Sequence, residues 1–134
     1  MTRIIAVTSE GPALTDMVDP RFGRAAGFVV VNLDTGEHSF LDNGGSQVLA
    51  QGAGIQAAEN VAKAGAGVVL SGFVGPKAFT ALAAAGIAVI QDVENMTVAQ
   101  AVEKYKSGAL AVAEGPNAQS GGNKPGGGQA GAAR

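Results

Sequence analysis

The chain has 134 residues, a formal net charge of −2 at neutral pH, 46% hydrophobic and 4% aromatic residues, and no cysteine. That length gives one domain with a modest, small-residue core, and the charge balance gives no basic field to draw nucleic acid or an anionic membrane. Without cysteine there is no disulfide, no thiolate zinc site and no cysteine-ligated iron–sulfur cluster.

A metal would have to be held by His38, by carboxylates or by the thioethers of Met17 and Met96, or arrive already wrapped in its own ligands. The first apolar run, Ile4-Ile5-Ala6-Val7, is of strand length and far shorter than a secretory core. No apolar stretch approaches the ~18 residues of a membrane helix. The expectation is a soluble, cytoplasmic protein.

Arg3–Thr8 reads as a strand apolar on both faces, hence central in a sheet. Ser9–Ala26 is a long loop carrying Gly11, Pro12, Asp19-Pro20 and Gly23, and loops of that length in compact domains are functional or mobile. Phe28–Leu33 and Glu37–Leu41 form a hairpin around Asp34-Thr35-Gly36, and Asn43-Gly44-Gly45 ends it. A first helix is expected from Ile55 to Ala64 with Ile55, Ala58, Val61 and Ala62 inward, stopped by Gly65 or Gly67. Val68–Leu70 is a short buried strand. Pro76 suits the first turn of a second helix, with Phe79, Leu82 and Ala83 inward and Gly86 at its end. Ile87–Ile90 is the next strand. Thr97-Val98-Ala99-Gln100 fits a capping box opening a third helix, with Val98, Ala101, Val102 and Tyr105 inward.

The order β-β-β-α-β-α-β-α is α/β. It predicts a mixed five-stranded sheet, an antiparallel hairpin beside parallel strands, with helices on both faces. Residues 1–113 make the folded domain. Residues 114–134, rich in Gly, Asn, Gln, Ala and Pro, read as a flexible tail that buries too little to offset its ordering entropy.

Arg21-Phe22-Gly23-Arg24 carries two guanidinium groups and a glycine in the loop after the first strand, where an open α/β sheet presents its binding crevice. Lys77 also follows a strand. If the first and fourth strands are parallel neighbours, Arg21, Arg24 and Lys77 open on one edge. The competing account is loop solvation and a salt bridge from Arg21 to Asp19. Ser71-Gly72-Phe73-Val74-Gly75-Pro76-Lys77 runs from a strand into a helix N-terminus, a natural anion site, or else a tight turn that needs glycine. It is no phosphate loop, since Ala78 follows Lys77. Gly52-Ala53-Gly54-Ile55-Gln56-Ala57 matches a dinucleotide fingerprint on paper. It lacks the preceding strand and the acidic residue about twenty positions on, so its glycines read as loosening the approach to the first helix. His38 is the only histidine, and one imidazole makes no ligand set. Met17 and Met96 offer soft thioether contacts or fill gaps.

The strand order is that of ribonuclease H-like domains, whose nucleases place acidic residues on the central strand to hold two metals. Ile4-Ile5-Ala6-Val7-Thr8 has no acid, so a nuclease reading fails at its first required residue.

Several of these stretches together resemble the nitrogenase iron–molybdenum cofactor-binding family. The matching elements are Asp19-Pro20-Arg21-Phe22-Gly23-Arg24-Ala25 after the first strand, Asp42-Asn43 at the hairpin end, and Gly52-Ala53-Gly54. Leu70-Ser71-Gly72-Phe73-Val74-Gly75 and Thr97-Val98-Ala99-Gln100-Ala101 complete the likeness, which spans about residues 2–112. The resemblance implies a ribonuclease H-like fold without nuclease activity and carriage of a molybdenum-containing metal–sulfur cluster. Many members have histidine directly after Phe-Gly, whereas Arg24 stands here, which favours charge pairing over ligation. The cysteine-free, arginine-bearing version is most similar to the members that carry a molybdenum–copper sulfide cluster. In that reading Arg21, Phe22, Gly23, Arg24, Gly72, Phe73, Val74, Gly75 and Lys77 hold the cluster non-covalently, with Phe22, Phe73 and Val74 as apolar walls. A P-loop ATPase or cluster-assembly protein is the partner such relatives imply. The competing readings are a small-anion or metabolite-binding regulatory module, and a protein–protein adaptor on the same fold.

Overall fold

Ile4–Ser9 forms β1, and it lies mid-sheet because both of its faces are apolar and both are covered. The computed structural model describes residues 4–44 and 52–116. In chain order β1 is followed by β2 (Gly27–Asn32), β3 (His38–Asp42), α1 (Ala53–Lys63), β4 (Val68–Leu70), α2 (Pro76–Ala84), β5 (Ala88–Ile90) and α3 (Val98–Lys106). The sheet order is β3-β2-β1-β4-β5. β1 pairs antiparallel with β2 and parallel with β4, Ala6 standing opposite Val30 on one side and Val69 on the other. β2–β3 is an antiparallel hairpin and β4–β5 a parallel pair.

Alternation along the strands sorts the core into two layers. Ala6, Phe28, Val69 and Val89 face α1 and α2, where Ala57, Ala58, Val61, Ala78 and Leu82 meet them. Ile5, Val7, Val29, Val31, Val68, Leu70 and Ile90 face α3 through Val98, Ala101 and Val102. Helices therefore cover both faces, as the strand order requires. The one large aromatic pair of the first layer is Phe22 on Phe28, ring centroids 5.5 Å apart and tilted by 50°, a geometry that adds about 0.5–1.5 kcal/mol beyond burial.

Two helix faces differ from their sequence reading. In α1 the buried residues are Ala53, Ala57, Ala58 and Val61, whereas Ile55 is 40% exposed and Ala62 is exposed. An alanine-rich helix carries a weak apolar stripe, so close packing against α2 sets its rotation instead of its largest side chain. In α2, Ala78 and Leu82 are buried, Phe79 is half-buried and Ala83 is exposed. The third helix keeps its expected face. Its capping box is complete: Thr97 Oγ1 accepts from the Gln100 N–H at 3.1 Å, and Gln100 Oε1 accepts from the Thr97 N–H at 2.9 Å.

After α3 the chain returns to the open side of β5. The Ala113 N–H donates to the Val89 carbonyl at 2.7 Å, and Gln91 Nε2 donates to the Gly115 carbonyl at 2.7 Å. The expected tail from residue 117 onward lies outside the described residues, as does Arg3. No helix among the described residues is long and apolar enough to cross a membrane.

Candidate functional site

Because β1 and β4 are parallel neighbours, the segments that follow them, 10–26 and 71–75, open on the same carboxyl edge of the sheet, the usual place for a ligand in an open α/β fold. The long 10–26 segment is pinned along its length. It pairs first with the approach to α3 (Met17 opposite Thr97), then folds back so that Arg21 stands opposite Phe73. Asp16 and Leu14 carbonyls accept from the Val98 and Ala99 N–H groups, each at 2.9 Å.

At its second anchor the segment is locked to the β4–α2 turn. The Phe73 N–H donates to the Pro20 carbonyl at 2.6 Å, and the Phe22 N–H donates to the Phe73 carbonyl at 3.0 Å. Gly72 permits this approach: a Cβ there would lie 2.8 Å from the Pro20 oxygen and 2.9 Å from its Cα. On its other side the turn is held by β5's continuation, with the Asp92 N–H donating to the Gly72 carbonyl at 3.0 Å and the Val93 N–H to the Ser71 carbonyl at 3.1 Å. Beneath lies a buried polar knot. Thr8 Oγ1 donates to the Asp19 carbonyl at 2.6 Å and lies 3.2 Å from Ser71 Oγ. The buried Asp19 carboxylate accepts from the Arg21 N–H at 3.0 Å and stands 3.4 Å from Arg21 Nε. The salt bridge weighed against an anion-binding role thus exists. It occupies one nitrogen of a guanidinium whose side chain is still 60% exposed.

The next residues meet α1. A Cβ on Gly23 would stand 3.0 Å from the Gly54 backbone, and a Cβ on Gly54 would stand 2.9 Å from Ala78 Cβ. Gly54 of the Gly-x-Gly run therefore serves close packing of the loop, α1 and α2, while Gly52 takes the left-handed conformation at the helix cap; the approach that precedes them lies outside the described residues. Asn43, fully buried, completes the contact: its Nδ2 donates to the Ala25 carbonyl at 3.0 Å and lies 3.4 Å from the Gly23 carbonyl. Gly52 and Gly75 cap α1 and α2 without a side-chain hydrogen bond and with no acidic residue in either first turn. Both helix N-termini thus present backbone N–H groups and the positive end of the dipole toward this edge.

Of the residues singled out by sequence, Arg21 is exposed, Phe73 is 43% exposed, Lys77 is exposed in the first turn of α2, and Arg24 and Gly75 are half-buried. Gly23 and Gly72 act through the backbone contacts just described. Phe22 and Val74 are corrected: at 1% and 0% exposure they belong to the core under α1 and α2, so Phe73 alone offers an apolar wall. Alternation explains the swap, since a bridged segment that exposes Arg21 and Phe73 turns their neighbours inward. His38 lies at the opposite end of the sheet, exposed at the start of edge strand β3, beside a cavity of about 170 Å³ that Leu14, Val31, Glu103 and Lys106 also line. Met17 is 41% exposed, while Met96 packs against the α3 layer. Among the described residues no group of three His, Asp or Glu side chains stands where it could hold a metal ion.

Sequence reasoning missed Thr8, Ser71 and Asn43 as builders of this edge, and saw Asp19 only as a salt-bridge partner. Asp-Pro-Arg carries a usable signal, an Asx turn in which the carboxylate caps the N–H two residues on. Asn43 carries no local signal beyond its place in the resemblance, because its side-chain partners are 17, 18 and 20 residues away in sequence. Chemically, the edge offers an exposed guanidinium, an aromatic face and two helix N-termini that have no side-chain cap among the described residues. These are the means to hold an anion that brings its own ligands.

The chain matches the family model described as dinitrogenase iron-molybdenum cofactor over residues 1–108. Among solved structures, the apo form of the orange protein from Desulfovibrio gigas is 58% identical, with a TM-score of 0.87 over 88% of this chain and 98% of that one. A putative NifB protein from Thermotoga, of the DUF35 family, is 29% identical with a TM-score of 0.73, covering 84% and 93% of the two chains. A putative dinitrogenase from Methanocaldococcus jannaschii shares the fold at 12% identity, with a TM-score of 0.63 over 87% and 99%. No curated protein sequence matches significantly. With the family model matched over residues 1–108 and a solved relative 58% identical, the chain belongs to the dinitrogenase iron–molybdenum cofactor family.

Proposed function

We propose that this protein is a non-catalytic carrier that holds a preassembled, anionic, molybdenum-containing metal–sulfur cluster at the carboxyl edge of its sheet. A molybdenum–copper sulfide cluster is the favoured cargo, within the wider class of molybdenum or iron–sulfur cofactors. The observation that carries this reading is the locked pair of segments 20–24 and 71–75, which presents Arg21 and Phe73 beside the uncapped N-termini of α1 and α2. Membership of the family and likeness to the orange protein support the choice of cargo.

The donor set fits such a cargo. A cluster bridged by sulfide supplies its own metal ligands, so the protein needs no thiolate. What it must supply is positive charge, N–H donors and a partly apolar surface, and each is present. Guanidinium and backbone donors to sulfide are reversible contacts, which suits cargo that must later be released. The strand order supports a ribonuclease H-like fold whose central strand, Ile4-Ile5-Ala6-Val7-Thr8, carries no carboxylate. A cytoplasmic setting, and delivery to or from a P-loop ATPase or assembly protein, complete the proposal.

The test is anaerobic titration of the purified protein with tetrathiomolybdate and then copper(I). The carrier reading expects an intense visible charge-transfer band that saturates at a fixed stoichiometry and comigrates with the protein. A protein that stays colourless after gel filtration contradicts it, and points to a metabolite-binding module or an adaptor.

A further inference from the structure

Asn43 follows β3 and is fully buried, yet it belongs to neither apolar layer. Its amide is one end of a chain of three. Gln56 Nε2 donates to Asn60 Oδ1 at 3.2 Å, Asn60 Nδ2 donates to Asn43 Oδ1 at 2.9 Å, and Asn43 Nδ2 donates to the Ala25 carbonyl at 3.0 Å with the Gly23 carbonyl at 3.4 Å. The direction of this relay is fixed by chemistry. Backbone carbonyls only accept, so Asn43 must turn its NH₂ toward the loop and its oxygen toward Asn60. Asn60 must then donate, and its own oxygen is left to accept from Gln56. Each amide has one orientation that satisfies its neighbours.

The two carbonyls that Asn43 holds belong to Gly23 and Ala25, the residues on either side of Arg24. A buried side chain that grips both carbonyls fixes the peptide plane before Arg24 and the plane that follows Ala25, so Arg24 is spanned by two anchored planes and the direction in which its Cα–Cβ bond leaves the backbone is restricted. The backbone of Asn43 adds a second tie, its N–H donating to the Ala26 carbonyl at 3.0 Å. The far end of the relay rests on α1, whose first turn meets Gly23.

We propose that Asn43 is the positioning residue of the cluster-binding loop: through the Gln56–Asn60–Asn43 relay it ties the Gly23–Arg24–Ala25 backbone to α1, so that Arg24 is pre-organised to pair with an anionic cluster. This rests on the carrier reading. Pre-organisation matters because a free loop would have to lose its conformational freedom each time cargo binds, and a rigid one has lost it on folding. Asn43 touches no cargo itself. Its effect on binding therefore passes through Arg24, and that coupling can be measured.

The experiment is a double-mutant cycle. Wild type, Asn43→Ala, Arg24→Ala and the double variant are titrated anaerobically with tetrathiomolybdate and copper(I), reading the visible band and its circular dichroism. Val102→Ala, on the buried face of α3 in the opposite layer, serves as a destabilised control. Asn43→Ala and Arg24→Ala are each expected to weaken binding about tenfold, the double variant no more than either alone. Val102→Ala keeps wild-type affinity while folded. Losses that multiply in the double variant, or an Asn43→Ala protein that binds as wild type does, overturn the proposal. Should Asn43→Ala fail to fold, Asn60→Ala repeats the cycle with the carbonyl grip left in place and only its support removed. A loss of about threefold that vanishes in the Arg24→Ala background supports the proposal, and an uncoupled loss overturns it. A wild-type protein that forms no chromophore removes the carrier reading, and this inference with it.

Discussion

Replacing Gly72 with alanine tests the lock between the two site segments. The added Cβ would stand 2.8 Å from the Pro20 oxygen and 2.9 Å from Pro20 Cα, where ordinary contact begins at 3.4 Å. The obstructing atoms are backbone, so no rotamer change relieves them. Either segment 20–22 moves off by about half an ångström or more, or the turn does, and the Phe73-to-Pro20 and Phe22-to-Phe73 hydrogen bonds stretch with it. Overpacking of this kind costs about 1–3 kcal/mol, and weakening two buried backbone hydrogen bonds adds about 1 kcal/mol. Gly72→Ala should therefore lose about 2–4 kcal/mol in urea unfolding with an unchanged m-value. Native-state hydrogen exchange should show the Phe22 and Phe73 amides losing protection well before the amides of β1. A loss under about 0.5 kcal/mol, with both amides still protected, would refute the picture of a rigid two-segment platform.

Arg21→Ala separates binding from stability. Its ion pair with Asp19 is long, its guanidinium is mostly exposed, and the buried Asp19 carboxylate keeps its bond from the backbone N–H of residue 21, so unfolding should shift by only about 1 kcal/mol. Cluster affinity should meanwhile fall about tenfold and depend less on salt, both read by titration at two ionic strengths. Thr97→Ala removes the side-chain half of the only described helix cap of this kind, and thermal unfolding should report a loss of about 1 kcal/mol.

The sequence made the strands and their neighbours plain because periodicity and punctuation agree there. Ile4–Val7 is apolar on both faces, Asp34-Thr35-Gly36 marks the hairpin, and Pro76 and Thr97 open helices where the structure begins them. The rotation of α1 was harder to read. Alanine at Ala53, Ala57 and Ala58 gives little apolar contrast, and the contact that decides the matter, Gly54 against Ala78, joins residues far apart in the chain. The site divided in the same way. The placement of Arg21, Arg24 and Lys77 at one edge follows from topology alone. The inward turn of Phe22 and Val74, by contrast, depends on the bridge between Arg21 and Phe73, a pairing between segments some fifty residues apart that no local pattern announces. Asn43 stood in the sequence only as part of a family-like hairpin end, and its buried role was hidden for the same reason: a polar residue after a hairpin reads as a turn until its partners are known.

In the proposed function a charge clamp, and no coordinating side chain, holds the cargo. The most direct test is the dissociation constant for the tetrathiomolybdate–copper(I) adduct, measured anaerobically for wild type and for Arg21→Ala/Arg24→Ala at low and at physiological salt. The account predicts saturable wild-type binding that weakens with salt, and a double variant that is folded, at least about a hundredfold weaker and nearly insensitive to salt. Equal affinity and equal salt dependence in the two proteins would contradict it.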